Sequence, residues 1–448
     1  DLLAISAAPS ANYILMADID LSGYNWTPLC TNSDAPFTGI FEGNGHVISN
    51  LKGVNGLFGY TSSVSSSAEI RNVGIENASI SAQYENQWSG IIGGIVAYAQ
   101  EDTTISNCYF HGDIDSNANM IGGIAGRFSS EKPVEYCWMA GDIRSTNVGG
   151  SYDTPRVGGI LAETGRSSYL TVNGCIHSGS IEAEGYALYA GGISGSLEGT
   201  ISNCQNYGSI TYNGSYYSQY AHIGGIDSGL WSSVIESCMN AADIQVVRLS
   251  DALSDSVVGG ISALGTDISN CFNCGDISTN GGSYVGGITG ENGRADNSYN
   301  VGTIRSVNPG SINVDAGYYG CGALFGSTVG VSSNCYYLAG DLPAYEKVNG
   351  TPTLNTIRSL SADQMKKSSN FGGFDFDSVW TMGSGSYPYP VLRNACGTDV
   401  GSATPPSSGT IPTPVLEKAE FANKAVTVTW SLPLTVPGQT HTVDSFNI

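Results

Sequence analysis

The stretch Gly191–Ile210, GGISGSLEGTISNCQNYGSI, decides the fold. It opens on a glycine pair followed by Ile, passes through Ile-Ser-Asn-Cys and closes on Gly-Ser-Ile. Near-copies flank it on both sides. Counted at the second glycine of each pair, the unit recurs at Gly94, Gly123, Gly159, Gly192, Gly225, Gly260 and Gly287, with separations of 29, 36, 33, 33, 35 and 27 residues. The second half of the unit has a fixed length. Cys108, Cys137, Cys175, Cys204, Cys238 and Cys271 are each followed six residues later by Ile114, Ile143, Ile181, Ile210, Ile244 and Ile277. Ser298 fills the cysteine slot once, with Ile304 at the same offset. An offset kept across seven units marks a repeat architecture.

Within each unit four positions alternate with small polar residues: the Ile after the glycines, a β-branched residue three before the cysteine, the cysteine, and the final Ile. The β-branched set is Ile105, Val134, Val172, Ile201, Ile235 and Ile268. That is period-2 strand patterning in three short pieces, interrupted by Gly, Asn and Ser. Three short strands per repeat of this length predict a right-handed parallel β-helix, an all-β solenoid whose coils stack and bury one column per slot. Each buried Ile contributes roughly 1.5–3 kcal/mol, so the Ile columns outweigh any surface pairing.

Composition fits a solenoid and excludes several functions. The chain has 448 residues, 60 glycines, a formal net charge of −22 and only 17 Lys plus Arg. A repeat protein grows by adding units and escapes the usual size limit on one core. Phosphate neutralisation needs clustered Lys and Arg, so nucleic-acid binding is disfavoured, as is attraction to an anionic membrane. No run approaches the roughly 18 apolar residues of a spanning helix, and no signal peptide opens the chain. The abrupt start and end read as those of an excised or mature fragment.

Six of the eleven cysteines occupy the one repeat slot and read as a file of free buried thiols. Stacked coils bring Cα atoms within disulfide range, but side chains pointing the same way make the bridging torsion awkward. Cys271 and Cys274 have no second pair or histidine at zinc-ligand spacing. Val73 stands where later units carry cysteine, which a packing slot tolerates and a ligand slot does not.

Residues 1–396 form the solenoid: an irregular start over 1–60 with an apolar capping turn, regular repeats over about 61–340, and a closing segment over 341–396. In the closing segment Ser361 with Gln364 three residues later predicts a short capped helix. Phe374-Asp-Phe-Asp-Ser-Val-Trp and Tyr387-Pro-Tyr-Pro-Val-Leu supply bulky residues to close the open end of the stack. Residues 397–414 are a Gly/Ser/Pro-rich linker. Over 415–448 the alternating Ala425-Val-Thr-Val-Thr-Trp looks like the opening of a fibronectin type III or similar sandwich domain, cut off at Ile448.

Tyr13, Ala17-Asp-Ile-Asp-Leu-Ser-Gly, Trp26-Thr-Pro, Phe41-Glu-Gly-Asn-Gly-His-Val-Ile and the Gly-Gly-Ile…Asn-Cys…Gly-x-Ile units together resemble GLUG-repeat proteins. The resemblance covers about residues 1–396. It implies a bacterial surface β-helix, a type of repeat that also occurs in non-catalytic regions of some immunoglobulin A peptidases. It implies display and adhesion more than any reaction, and the chain has no His-Glu-x-x-His peptidase motif.

Unit length varies between each final Ile and the next glycine pair, and this elastic stretch is rich in aromatics. It holds Tyr84 and Trp88, Tyr152, Tyr186 and Tyr189, Tyr212, Tyr216, Tyr217 and Tyr220, Tyr284, and Tyr318 and Tyr319. Insertions in a solenoid fall on one edge, often the binding edge. Amphipathic rings beside Glu85, Asp153, Glu182, Glu184, Asp251 and Asp255 suit a glycan or a protein epitope. The bland alternative is that the rings lie flat over loop stems and fill space.

One residue before the final Ile stand Asp113, Asp142, Asp243 and Asp276. An inward Ile implies an outward neighbour, so Asp113 with Asp142 and Asp243 with Asp276 stack about 4.8 Å apart. Repulsion there is relieved by a cation or by a raised pKa. Calcium is one reading. A retaining glycosidase, whose carboxyls lie about 5–5.5 Å apart, is another. His46, His111, His177, His222 and His441 share no spacing and read as structural or solvated. Asn107, Asn203, Asn270, Asn297 and Asn334, one before the cysteine slot, suggest an amide ladder at a corner.

The reading is therefore a secreted or cell-surface, non-catalytic adhesin, monomeric and without cofactor (calcium aside), that presents an aromatic and acidic loop edge to a host or microbial glycan or protein. A carbohydrate-active enzyme on the same fold and a passive spacer are the competing readings.

Overall fold

The computed structural model describes every residue except 1, 63–65, 86–89, 147–153, 166–168, 215–219, 230–232, 249–254, 281–283, 307–319, 328–329, 341, 345–353, 394–414, 423–424, 432–440 and 444–448. Copies of the repeat lie on one another in parallel and in register. Ile114 pairs with Ile143, Ile181 with Ile210, Ile210 with Ile244, and Ile277 with Ile304. The result is a parallel β-solenoid of about eight turns.

Each coil has three walls. The strands before and after the cysteine, together with the strand carrying the final Ile, join a continuous 29-stranded sheet. Strands that lead into the glycine pair, such as Tyr220–Gly224, form an eight-stranded sheet. After the glycines comes a third wall of four-stranded and two-stranded sheets, linked by bridges from Leu161 to Ser194, Asp227 and Ser262.

The corner before the cysteine needs a left-handed residue. Asn107, Asn203, Asn270, Asn297 and Asn334 have φ of 51°, 53°, 52°, 47° and 55°, a region in which Asn is favoured over other non-glycine residues. At this corner the cysteine sulfurs take over from carbonyls as acceptors. The amides of Cys137, Cys175, Cys204 and Cys238 donate to the sulfur of the next coil's cysteine at 3.3–3.4 Å, and that of Cys271 to Ser298 Oγ at 3.0 Å. Among the described residues every cysteine is a free thiol. Burial pushes Cys108, Cys137, Cys175 and Cys238 well above the usual thiol range, as expected of packing thiols rather than nucleophiles.

Part of the corner-amide expectation holds, since Asn334 donates to Asn297 at 3.1 Å. The longer ladder lies two residues after the cysteine and inside the coil. His177 Nδ1 bonds Asn206 Oδ1, and Asn206, Asn240 and Asn273 each donate to the next coil's Oδ1, all at 2.8 Å. Asn300 ends the run on Ala323 O at 2.9 Å. These side chains explain the repeated glycine pair. A Cβ on Gly225 would lie 2.1 Å from Gly260 O and 2.4 Å from Asn240 Cγ, and one on Gly224 1.9 Å from Asp227 O.

At the start of the chain a 3-10 helix, Leu2–Ala7, buries Leu2 and Ile5. The helix Ala362–Met365 forms with both halves of its capping box in place: Ser361 Oγ accepts from the Gln364 amide, and Gln364 Oε1 from the Ser361 amide. The aromatics that follow pack on the flank of the solenoid, not across its open end. Phe371, Phe374 and Trp380 join Met239, Phe272, Tyr299 and Tyr336 in a second apolar cluster. Those four stand one after the cysteine slot, an outward column that this strap covers. Trp380 stacks on Phe374 at 4.6 Å, and Tyr299 bonds Tyr387 through their hydroxyls at 2.8 Å. Val415–Ala422, Ala425–Ser431 and His441–Val443 form a three-stranded antiparallel sheet.

Candidate functional site

Two outward columns meet in a crease at the glycine turn. Three residues before each second glycine, on the eight-stranded sheet, stand Met120, Arg156, Tyr189, His222, Val257 and Tyr284, paired rung by rung. Four residues after it, on the third wall, stand Tyr98, Arg127 and Glu163. The walls meet so tightly that a Cβ on Gly195, between them, would lie 2.7 Å from Val157 N. Arg156 Nε spans the crease to Glu163 Oε1 at 3.7 Å.

Rings and guanidinium groups both lie along it. Tyr60 lies 5.8 Å from Tyr98, and Arg127 sits 5.3 Å over the Tyr98 ring. Arg156 sits 5.7 Å over Tyr189. Tyr189, Tyr220 and His222 form a triangle with centroid distances of 5.0–5.9 Å. Tyr220 reaches two coils back, to Thr154 Oγ1 at 2.8 Å. Burial pushes His222 down to about 4 and Tyr189 up to about 12.

Of the aromatics expected at the loop edge, Tyr189 and Tyr220 come together, and Tyr284 stands two rungs beyond His222 in the same column. Tyr186 is half-buried. Tyr84 is also half-buried, its backbone held by Asn117. Tyr212 is inside the solenoid, 1% exposed, its hydroxyl donating to Gly185 O at 2.9 Å. The cause is period-2 alternation: Ile210 points inward, so Tyr212 does too. Trp88, Tyr152, Tyr216, Tyr217, Tyr318 and Tyr319 lie outside the described residues, as do Asp153 and Asp251. Loop composition does not point to Arg127, Arg156, Glu163 and His222. Their signal was a constant offset from the glycine pair.

The acidic column stacks as expected but bonds to backbone. Asp113 Oδ1 accepts from the Asp142 amide at 3.1 Å, and Asp142 Oδ1 from Ser180 N at 3.1 Å. Asp243 Oδ1 accepts from the Asp276 amide at 2.8 Å, and Asp276 Oδ1 from Thr303 N at 2.7 Å. Each carboxylate thus closes the next coil and keeps one oxygen outside these bonds. That leaves one donor per coil, where calcium takes about six to eight oxygens. Among the described residues no group of three or more His, Cys, Asp or Glu is placed to hold a metal.

The interior also holds polar groups. Asp227 is fully buried; its Oδ2 accepts from Gly229 N at 3.0 Å and Ser233 Oγ at 3.1 Å, while burial pushes its carboxyl up to about 7. His177 is held by burial near 4, and its Nε2 has no partner. A cleft of about 630 Å³ opens beside the last coil strand, near Tyr337, Arg358, Gln364 and Asn370.

No family model matches the sequence. Over 133 residues the chain is 33% identical to halomucin of Haloquadratum walsbyi (strain DSM 16790 / HBSQ001). That stretch is 26% of this chain, and it spans only 1% of halomucin. Among solved structures the chain is similar to a candidate immunoglobulin A1 protease from Bacteroides ovatus, with a TM-score of 0.42 and 19% identity over 88% of this chain and 90% of that one. It is also similar to an IgA1 protease structure, with a TM-score of 0.37 and 14% identity over 69% of this chain and 21% of that one.

Proposed function

We propose that this chain is a non-catalytic, GLUG-type β-helix of a secreted or cell-surface protein, which presents a ligand-binding face to a host or microbial partner. The observation that carries the reading is the gathering of Tyr189, Tyr220 and His222 into one ring cluster beside Arg156. Rigid amphipathic rings on a stiff scaffold give contact area at little entropic cost. The acidic column favours display over catalysis, because its carboxylates are engaged with backbone amides of neighbouring coils. The stretch shared with halomucin supports the surface placement.

The test is adhesion. The purified chain, coated on beads, is expected to bind epithelial or microbial cells saturably, and the double variant Tyr189→Ala, Tyr220→Ala to bind at least tenfold less. Equal binding by the two, or no saturable binding to any cell type, contradicts the reading.

A further inference from the structure

The crease between the eight-stranded sheet and the third wall has more polar capacity than the protein satisfies. Arg127 Nε, Arg156 Nε and Glu163 Oε2 are buried without a hydrogen-bond partner, as are His222 Nδ1 and Ser196 Oγ. Glu163 is itself only 8% exposed. All belong to one continuous strip. Arg127 and Glu163 are register partners on adjacent coils, Arg156 faces Glu163 at 3.7 Å, and His222 lies 5.0 Å from Tyr189. A buried polar group left without a partner is destabilising. Buried atoms without partners occur elsewhere too, among them Asn119 Oδ1 and His177 Nε2; what sets the crease apart is that guanidinium donors and a carboxylate acceptor lie on adjacent rungs of it.

We infer that this crease is a saccharide-binding site for a neutral, hydroxyl-bearing glycan, lying across Arg127, Glu163 and Arg156 with Tyr98 and Tyr189 at its sides. The chemistry follows from the mixture of orphans. Two guanidinium Nε groups need acceptors, whereas Glu163 Oε2 needs a donor. An anionic ligand satisfies the arginines but meets the Glu163 charge in a crease of low dielectric. A cation does the reverse. A sugar hydroxyl donates and accepts at once, so successive hydroxyls along one ring serve both kinds. The tyrosines supply flat apolar faces for the C–H side of a sugar ring.

The inference rests on the ligand-binding reading above and narrows it to a ligand class and to residues away from the loop edge. A glycan array carrying neutral and sialylated or uronate-bearing oligosaccharides is probed with the full chain, with Glu163→Gln, with Arg127→Gln, and with Tyr24→Ala, an exposed ring of the N-terminal turn, as an outside control. Only variants that melt at the wild-type temperature are compared. The expected result is binding to a subset of neutral glycans, reduced tenfold or more by Glu163→Gln and by Arg127→Gln and unchanged by Tyr24→Ala. Binding confined to acidic glycans overturns the ligand class. Neutral-glycan binding that survives both crease variants overturns the site but leaves the adhesion reading standing. No glycan binding at all overturns this inference, with cell adhesion through a protein ligand then deciding the broader reading. Should both crease variants unfold, a crystal structure soaked with maltotriose, chitotriose and cellotriose decides. Sugar density bonded to Arg127 or Glu163 supports the site, and ordered water alone in the crease overturns it.

Discussion

The backbone amide of Cys204 donates to the sulfur of Cys238, one coil further on, at 3.3 Å. The left-handed residue before each cysteine turns the chain away from the regular ladder, and the sulfur receives the amide that the ladder leaves over. Ser298 shows that a hydroxyl serves as well, accepting from Cys271 N while donating to Asp296 O at 2.9 Å. Cys238→Ala is therefore expected to destabilise the protein by about 2–4 kcal/mol, through a small cavity and an orphaned Cys204 amide. Cys238→Ser should lose less. Urea unfolding of the two variants checks the order, and a serine variant weaker than the alanine variant contradicts it.

Glycine at the pair is required by what passes beneath it. Gly225→Ala would drive a methyl into Gly260 O and the Asn240 amide, whereas the nearest atom to a Cβ on Gly265 is Asn292 O at 4.0 Å. The first substitution should cost about 3 kcal/mol and the second less than about 0.5 kcal/mol. Equal losses in denaturant melts would mean that the pair serves only as a turn.

Stability should follow pH through three buried groups. The Asp227 carboxyl rises from 3.8 to about 7 on folding, so its contribution is complete below pH 3.8 and disappears as pH rises through 7. His177 and His222 fall from 6.5 to about 4, so theirs is complete above 6.5 and disappears as pH falls toward 4. Two histidines outweigh one carboxyl, and unfolding free energy should climb from pH 4 to 6.5 and then dip slightly near 7. Asp227→Asn keeps an acceptor for Gly229 and Ser233 and removes the dip. Its stability relative to wild type should be greater at pH 8 than at pH 5, by on the order of 2–4 kcal/mol. A difference independent of pH contradicts the assignment to Asp227.

The C-terminal strap should protect only the coils it covers. Trp380→Ala is expected to cost about 3–5 kcal/mol and to expose Phe272 and Tyr299, which are fully buried in the intact protein. In a solenoid each coil senses chiefly its neighbours. Hydrogen exchange should accordingly quicken over residues 239–336 and stay unchanged before residue 200. Uniform acceleration along the chain would contradict a local strap.

The sequence was legible wherever a slot carries one residue type for one reason. The Ile columns, the cysteine file and the Ser361–Gln364 capping box all follow from spacing and appear in the structure. Asn206, Asn240, Asn273 and Asn300 stood at a constant offset too, but amides in an inward slot contradict the apolar-core rule until their mutual bonds are seen. For Tyr212, loop composition points to the edge and alternation from Ile210 to the interior, and alternation prevails. Phe374 and Trp380 announced burial without saying against which surface, since bulk and apolarity are the same for an end cap and a flank strap. The crease is not legible in the sequence because its two walls come from different parts of the unit, and only the turn at the glycine pair brings them together.

The central claim is that equivalent slots of successive coils stand directly over one another. Anomalous scattering from sulfur in a crystal, collected at long wavelength, tests it with the least interpretation. Sulfur peaks from Cys137, Cys175, Cys204, Cys238 and Cys271 should form one row at the coil repeat of about 4.8 Å, with the Met139 and Met239 sulfurs off that row. Peaks scattered through the molecule, or paired at the bonding distance of a disulfide, would contradict the stacking on which the crease, the amide ladder and the strap all depend.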